Sequence, residues 1–367
     1  MNDNFLHKKL DERNAQQALR HLRLPAGRTD LCSNDYLGIV TNGKIELTPN
    51  YHHGSGGSRL LAGNYRLIED TERLLADFHK APAGLIYNSG YDANLGLLSC
   101  IPQRGDTILY DQLSHASIRD GIRLSFARSF SFPHNDLEEL EKGLRAAGGT
   151  IFVVTESVFS MDGDQAPLRD MVALCEQYGA YLIVDEAHAT GVVGPAGVGL
   201  VQELGVQEQC FARVHTFGKA VGCHGAIILG SEALRSYLIN FSRAFIYTTA
   251  LPETSIAAIR TAYELFPGMS DERDHLQRLI AHFQGAALGY ERLDSRTPIQ
   301  VVIVPGNESV RSLAGDLQEN GLDVRPILYP TVPKGRERLR IVFHAFNTIE
   351  EIDKLITLLG STHLPLK

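Results

Sequence analysis

The stretch Ala180-Tyr181-Leu182-Ile183-Val184-Asp185-Glu186-Ala187-His188 decides the fold. Leu182 to Val184 is a continuous apolar run of the kind expected of a strand buried on both faces. Such strands belong to mainly parallel sheets covered by helices on both sides. An aspartate closes the run. In open α/β sheets, ligand sites lie beyond the carboxyl ends of the strands, so Asp185 stands at a position suited to chemistry. An ionised carboxylate there is costly unless something positive pairs with it. The plain structural alternative is a helix N-cap. His188 follows three residues later, and Thr190-Gly191 opens a glycine-rich loop. No Lys, Arg, Asp or Glu occurs from Ala187 to Gln202.

Working outward, short apolar runs alternate with helical patterns as far as about residue 230. The spacing predicts strands at 84–87, 107–110, 150–155, 181–184, 213–216 and 226–229. Helical patterns at 64–78, 137–147 and 168–178 lie among them. Upstream, Ala15, Ala18, Leu19 and Leu22 fall at helical spacing and predict an N-terminal helix over 11–24. After residue 250 the texture changes. A long helical region over 253–288 is followed by strands near 299–304, 324–327 and 339–342. A closing helix carries Ile349, Ile352, Leu355, Ile356 and Leu359. The expected fold class is α/β: a large domain with a mainly parallel sheet sandwiched by helices, plus a smaller α+β C-terminal domain. The expected boundaries are 1–40 for an N-terminal helix and arm, 41–250 for the large domain and 251–367 for the small one.

Composition limits the function. The 367 residues carry 35 Lys plus Arg against 43 Asp plus Glu, a formal net charge of −8. That balance argues against nucleic acid or an anionic membrane as the main partner. It leaves room for a local basic pocket. The 5 cysteines are widely spaced without a C-x-x-C, which makes a disulfide framework or a structural metal site improbable. No apolar run is long enough to span a membrane, and the polar N-terminus lacks a signal-peptide pattern. A reduced cytoplasmic compartment is expected. Glycine is abundant, at 34 residues, and clustered. Gly54-Ser55-Gly56-Gly57-Ser58 does not continue into a G-x-G-x-x-G register. Gly218-Lys219 is not a Walker A loop, because Ala220 follows the lysine. No G-x-S-x-G elbow exists. The adjacent His52 and His53 lack metal-ligand spacing, and no metal is expected.

Lys219 is the second unusual residue. It is the only Lys, Arg, Asp or Glu from Val214 to Leu229, and it follows a predicted strand. A snorkelling loop lysine is the plain alternative. A desolvated lysine, however, becomes a nucleophilic amine suited to a Schiff base. An aspartate at one strand end and a lysine at a nearby one could bracket a cofactor with a protonated pyridine nitrogen and an aldehyde carbon. That describes pyridoxal 5′-phosphate. Asn88-Ser89-Gly90-Tyr91-Asp92-Ala93-Asn94 follows a predicted strand and leads into a helix, whose first amides suit a phosphate. Ser114-His115-Ala116-Ser117 offers an imidazole that could stack on a flat ring.

With these motifs the chain resembles the α-oxoamine synthases, pyridoxal-phosphate enzymes of the fold-type I aminotransferase superfamily. The resemblance runs from about Asn34 to the last helix. It also rests on Ser33-Asn34-Asp35-Tyr36-Leu37-Gly38, on the loop 54–64, on the run from Thr155-Glu156-Ser157 to Asp164, on Thr216-Phe217-Gly218-Lys219 and on Pro330-Thr331-Val332-Pro333. The resemblance implies that Lys219 holds the cofactor and handles the Cα proton. It implies that Asp185 pairs with the pyridine nitrogen, His188 bonds the ring oxygen, and His115 stacks on the ring. Ser160 would lie near the ring. Ser89, Gly90, Tyr91 and Thr216 would receive the phosphate, and Thr249 would reach the phosphate of the partner subunit in a homodimer. Arg340 would receive the amino-acid carboxylate, with Asn34, Thr331 and Arg20 near the substrate. Within the family, the loop 54–64 looks most like the branch that condenses L-alanine with a pimeloyl thioester, carried by CoA or a carrier protein, in biotin synthesis. Serine palmitoyltransferases and glycine C-acetyltransferases, which use serine or glycine, tend to carry Gly-Thr where this chain has Gly63-Asn64. The stretch 41–53 is several residues shorter than is usual in the family, near the acyl channel.

Overall fold

The computed structural model describes residues 3–22, 24, 27–47 and 50–361. The chain forms two compact units: Asp35–Ser160 with Gln165–Arg273, and Met1–Asn34 with Met161–Asp164 and Asp274–Lys367. The larger unit carries a sheet of seven strands: β1 (Ala83–Tyr87), β2 (Thr107–Asp111), β3 (Arg128–Phe132), β4 (Ile151–Glu156), β5 (Tyr181–Asp185), β6 (Cys210–Thr216) and β7 (Ala226–Gly230). Their spatial order is β1-β7-β6-β5-β4-β2-β3. All neighbours pair in parallel except β7, which runs antiparallel to β1 and to β6. This is the mainly parallel sheet read from the apolar runs.

Strand alternation explains why these runs are apolar throughout. Ile108, Phe152, Ile183 and Val214 enter the core on one face. Leu109, Val153, Leu182 and Val184 enter the core on the other. Each strand therefore feeds two apolar layers with period two. β3 escaped the sequence reading. It is an edge strand with Arg128 to Phe130 on the surface, so it lacks a continuous apolar run.

The smaller unit holds a three-stranded antiparallel sheet, ordered β9-β10-β8, from β8 (Ile299–Ile303), β9 (Arg325–Ile327) and β10 (Arg338–Val342). Helices Asn307–Glu319 and Ile349–Ser361 belong to it. The strand read over 324–327 is Arg325–Ile327, and a separate two-residue strand just before it was not read from the sequence. Leu322–Asp323 pairs in parallel with Thr29–Asp30, whereas Arg325–Ile327 pairs with β10.

Two helix readings change. The region 253–288 is interrupted at Phe266–Gly268, where Pro267 cannot continue the ladder, leaving helices Glu253–Leu265 and Ser270–Gly285. The N-terminal helix spans Asn4–Ala15, not 11–24, and buries none of its residues. Gln17 takes a left-handed backbone, φ 52, which ends it. Of the apolar positions that suggested the later span, Ala18 is buried and Leu22 is fully exposed. Arg23, in that span, lies outside the described residues.

Candidate active site

β1, β2, β4, β5 and β6 run in one direction, and the candidate residues Ser89, His115, Asp185, Thr216 and Lys219 lie at or just beyond their carboxyl ends. β1 is followed by Asn88 and Ser89, then by the helix Gly90–Cys100. β2 leads to His115, the N-cap of the helix Ala116–Leu124. β4 ends at Glu156 and β5 at Asp185, register partners across the ladder. β6 ends at Thr216, and Lys219 sits in the turn that reverses the chain into β7. That turn is tied by bonds from Cys223 N to Phe217 O, 2.7 Å, and from Gly222 N to Lys219 O, 2.8 Å.

Asp185 is buried, and its carboxylate accepts two N–H donors. The side-chain amide of Asn94 donates to Oδ2 at 2.7 Å, and Ala187 N donates to Oδ1 at 2.9 Å. Burial lowers the pKa of His115. The negative charge of Asp185 partly restores it, and the positive charge of Lys219 lowers it further. The Glu156 carboxyl is pushed up, first by burial and then by the Asp185 charge, against the pull of Lys219. Asp185, Lys219, His115 and Glu156 thus share one electrostatic neighbourhood within the larger unit. His188 is buried, and its Nδ1 lies 2.6 Å from the Tyr36 hydroxyl. Ser160 is buried, with its backbone N–H directed at Glu156 Oε2 at 3.3 Å.

A second cluster sits beside the carboxyl end of β6. A Cβ placed on Gly90 would lie 3.4 Å from Thr216 Oγ1, so the start of the Gly90–Cys100 helix packs directly on that hydroxyl. The first i→i−4 bond of this helix runs from Ala93 N to Ser89 O, so the amides of Gly90 and Tyr91 precede the ladder. The Ser89 hydroxyl is committed to the cap: it accepts from Asp92 N at 3.0 Å and donates to Asp92 Oδ2 at 2.9 Å. Thr249 is exposed, and its carbonyl accepts from the Asn88 amide at 2.9 Å, one residue before that cap.

These residues fit pyridoxal phosphate. The helix-start amides offer donors for a phosphate, and the Thr216 hydroxyl beside them, which donates to Gly225 O at 3.3 Å, could turn to join them. A buried acceptor-only carboxylate at Asp185 offers a partner for a protonated ring nitrogen, and Lys219 offers the amine. Among the described residues there is no cluster of histidine, cysteine and acidic side chains able to hold a metal ion.

In the smaller unit, the expected substrate residues pair with one another. Arg340 Nη2 donates to Asn34 Oδ1 at 3.0 Å, and Arg20 Nη2 donates to Thr331 Oγ1 at 3.3 Å. Arg338, two residues from Arg340 on β10, is committed to Asp162 at 2.5 Å.

The class I and II aminotransferase family model matches residues 27–359. A relative from Emericella nidulans described as 8-amino-7-oxononanoate synthase is 46% identical, over 91% of this chain and 89% of its own length. The chain belongs to the 8-amino-7-oxononanoate synthases within that aminotransferase family. A solved 8-amino-7-oxononanoate synthase from Francisella tularensis superposes with a TM-score of 0.76 at 30% identity, covering 91% of this chain and 97% of that one. A serine palmitoyltransferase structure, described as holding pyridoxal phosphate as the internal aldimine, gives a TM-score of 0.87 at 27% identity, over 98% and 96%. The fold is therefore that of the fold-type I enzymes, as the 8-amino-7-oxononanoate synthase branch requires.

Some residues of this site carried no role in the sequence reading. Glu156 ends an apolar run as Asp185 does, so the same signal was present. Tyr36, Asn94 and Ser117 are neutral, and only their burial against Asp185 or the two histidines distinguishes them.

Proposed function

We propose that the protein catalyses the pyridoxal-phosphate-dependent condensation of L-alanine with a pimeloyl thioester. The products are 8-amino-7-oxononanoate, carbon dioxide and the free thiol. The observation that carries this reading is the convergence of Lys219, Asp185, the phosphate cradle at Gly90 and Thr216, and His115 on one end of one sheet. The 46% identity to a relative bearing that name supports the substrate assignment.

When bound, pyridoxal phosphate supplies a sink for the electrons released at the amino acid's Cα. Lys219 would hold its aldehyde carbon and move the Cα proton at Nζ. Asp185 would keep a proton on the ring nitrogen, and His188, braced by Tyr36, would bond the ring oxygen. Ser160 would lie against the ring. The amides of Ser89, Gly90 and Tyr91 and the Thr216 hydroxyl would bind the phosphate, with Thr249 of a partner subunit completing it in a homodimer. Arg340 would bind the alanine carboxylate, a task suited to a planar guanidinium. Asn34, Thr331 and Arg20 would lie near the substrate. A cytoplasmic location accords with the composition.

Serine with a longer acyl thioester is the second reading, favoured by the TM-score of 0.87 to a serine palmitoyltransferase. Steady-state release of thiol and carbon dioxide with alanine, serine or glycine, each with pimeloyl-CoA and palmitoyl-CoA, separates them. Turnover confined to alanine with pimeloyl-CoA is expected; turnover confined to serine or glycine overturns the assignment. Borohydride reduction of the holoenzyme should place the cofactor on Lys219 by mass spectrometry. Label on another lysine would refute its role.

A further inference from the structure

Two neutral side chains join Asp185 to His115. Asn94 and Ser117 are almost fully buried, at 2% and 1% exposure. Asn94 Nδ2 donates one hydrogen to Asp185 Oδ2 at 2.7 Å and the other to Ser117 Oγ at 3.0 Å. The carboxylate can only accept, so it fixes which end of the Asn94 amide faces it. Ser117 Oγ lies 2.8 Å from His115 Nδ1, and Ser117 N donates to the same nitrogen at 3.2 Å. A backbone N–H can only donate, so Nδ1 carries the lone pair. The Ser117 hydroxyl must then also donate to Nδ1, which leaves its oxygen free to accept from Asn94. The donors diverge from Asn94, toward Asp185 on one side and through the Ser117 hydroxyl into His115 on the other.

We propose that Asn94 and Ser117 are positioning residues that lock His115 as the neutral tautomer protonated at Nε2 and tie its ring to the cofactor-facing carboxylate. Protonating Nδ1 would oppose a fixed backbone donor and force the Ser117 hydroxyl to turn away. A His115 held in this way keeps its ring plane fixed for stacking and presents an N–H donor at Nε2. The functional part of this inference rests on the reaction proposed above; the tautomer does not.

The test is 15N-histidine NMR of the cofactor-free protein above the usual histidine titration range, with His115→Gln used to assign the resonance. In the wild type, Nδ1 should resonate as an unprotonated nitrogen and Nε2 as a protonated one. This measurement needs no variant of Asn94 or Ser117 to fold. Ser117→Ala and Asn94→Leu, checked for folding by circular dichroism, remove the hydroxyl donor or its anchor while the Ser117 backbone N–H stays, so they should raise the minor population of the other tautomer without making it dominant. In the holoenzyme they should lower kcat about tenfold while KM for L-alanine stays within about twofold, as loss of a positioning hydrogen bond predicts. Ser117→Thr, which keeps the hydroxyl, should restore both readouts. A wild-type His115 protonated at Nδ1 overturns the proposal. So does a Ser117→Ala protein with unchanged tautomer and unchanged kcat. An enzyme inactive with alanine but showing the expected tautomer would instead overturn the reaction assignment alone.

Discussion

Asp185 and Glu186 are adjacent carboxylates at the end of one strand, and they point into different worlds. Asp185 meets an amide side chain, Asn94, and belongs to a neighbourhood with Lys219 and His115. Glu186 is fully buried, and both its oxygens accept backbone amides, Leu200 N at 2.8 Å and Val201 N at 2.7 Å. It fastens the far end of the glycine-rich loop that begins at Gly191. Successive residues leave a strand on opposite faces, so one strand end supplies both the carboxylate proposed for the chemistry and the clamp beneath it. The charge-free run 187–202 now has a reason: its carboxylate partner, Glu186, lies just before it and is met by main-chain amides rather than a cation. Chemistry and clamping predict different losses on mutation.

The largest expected effect is on the chemical side. Asp185→Asn should lower kcat about 10²–10³-fold, the scale of losing a preorganised charge, while the melting temperature changes by only a few degrees. Rates near wild type would break the contrast. On the clamp side, Glu186→Ala strands two buried amides and leaves a cavity, for an expected loss of about 2–4 kcal/mol in urea unfolding. Activity per folded site should stay within about threefold. A stable but inactive Glu186→Ala protein would mean that the clamp also shapes the chemistry. Gly199→Ala probes the same clamp more gently. Gly199 has φ +100, and a Cβ there would lie 2.1 Å from Glu186 Oε2. The expected cost is about 1–3 kcal/mol, again read by unfolding and with little change in activity.

The same contrast explains what could be read from the residues alone. Asp185 and Lys219 could be singled out because one closes an apolar run and the other is the only Lys, Arg, Asp or Glu between Val214 and Leu229. The mainly parallel character of the sheet followed from the alternation of runs and helices. Glu186 was legible only as a letter in a motif, because its partners are main-chain amides and carry no residue identity. Asn94, Ser117 and Tyr36 are neutral and common, so burial had to be seen before they could be placed. β3 and the N-terminal helix failed for a related reason. One lies at a sheet edge and the other buries no residue, so the apolar pattern that marks core elements does not mark them.

The smallest effect to resolve is a pH slope. Burial is the main cause that pushes the Glu186 carboxyl from 4.5 up to about 7, with the Asp185 charge a lesser one and the two amides and the Arg213 charge opposing. The folded state therefore binds this proton more tightly than the unfolded chain does. The stabilisation is fully present below about pH 4.5 and is lost as pH rises through about 7, a change of about 3 kcal/mol at most. Other carboxylates titrate in the same window, so the quantity to measure is the difference in unfolding free energy between wild type and Glu186→Gln across that range. The difference should fall with rising pH, because the glutamine cannot titrate. A difference independent of pH would mean that the two amides outweigh burial and hold Glu186 ionised throughout. Repeating the pair of measurements in an Asp185→Asn background should move the window to lower pH, since one source of negative charge is gone. That shift is the direct measure of how far the chemical carboxylate is felt by the clamp.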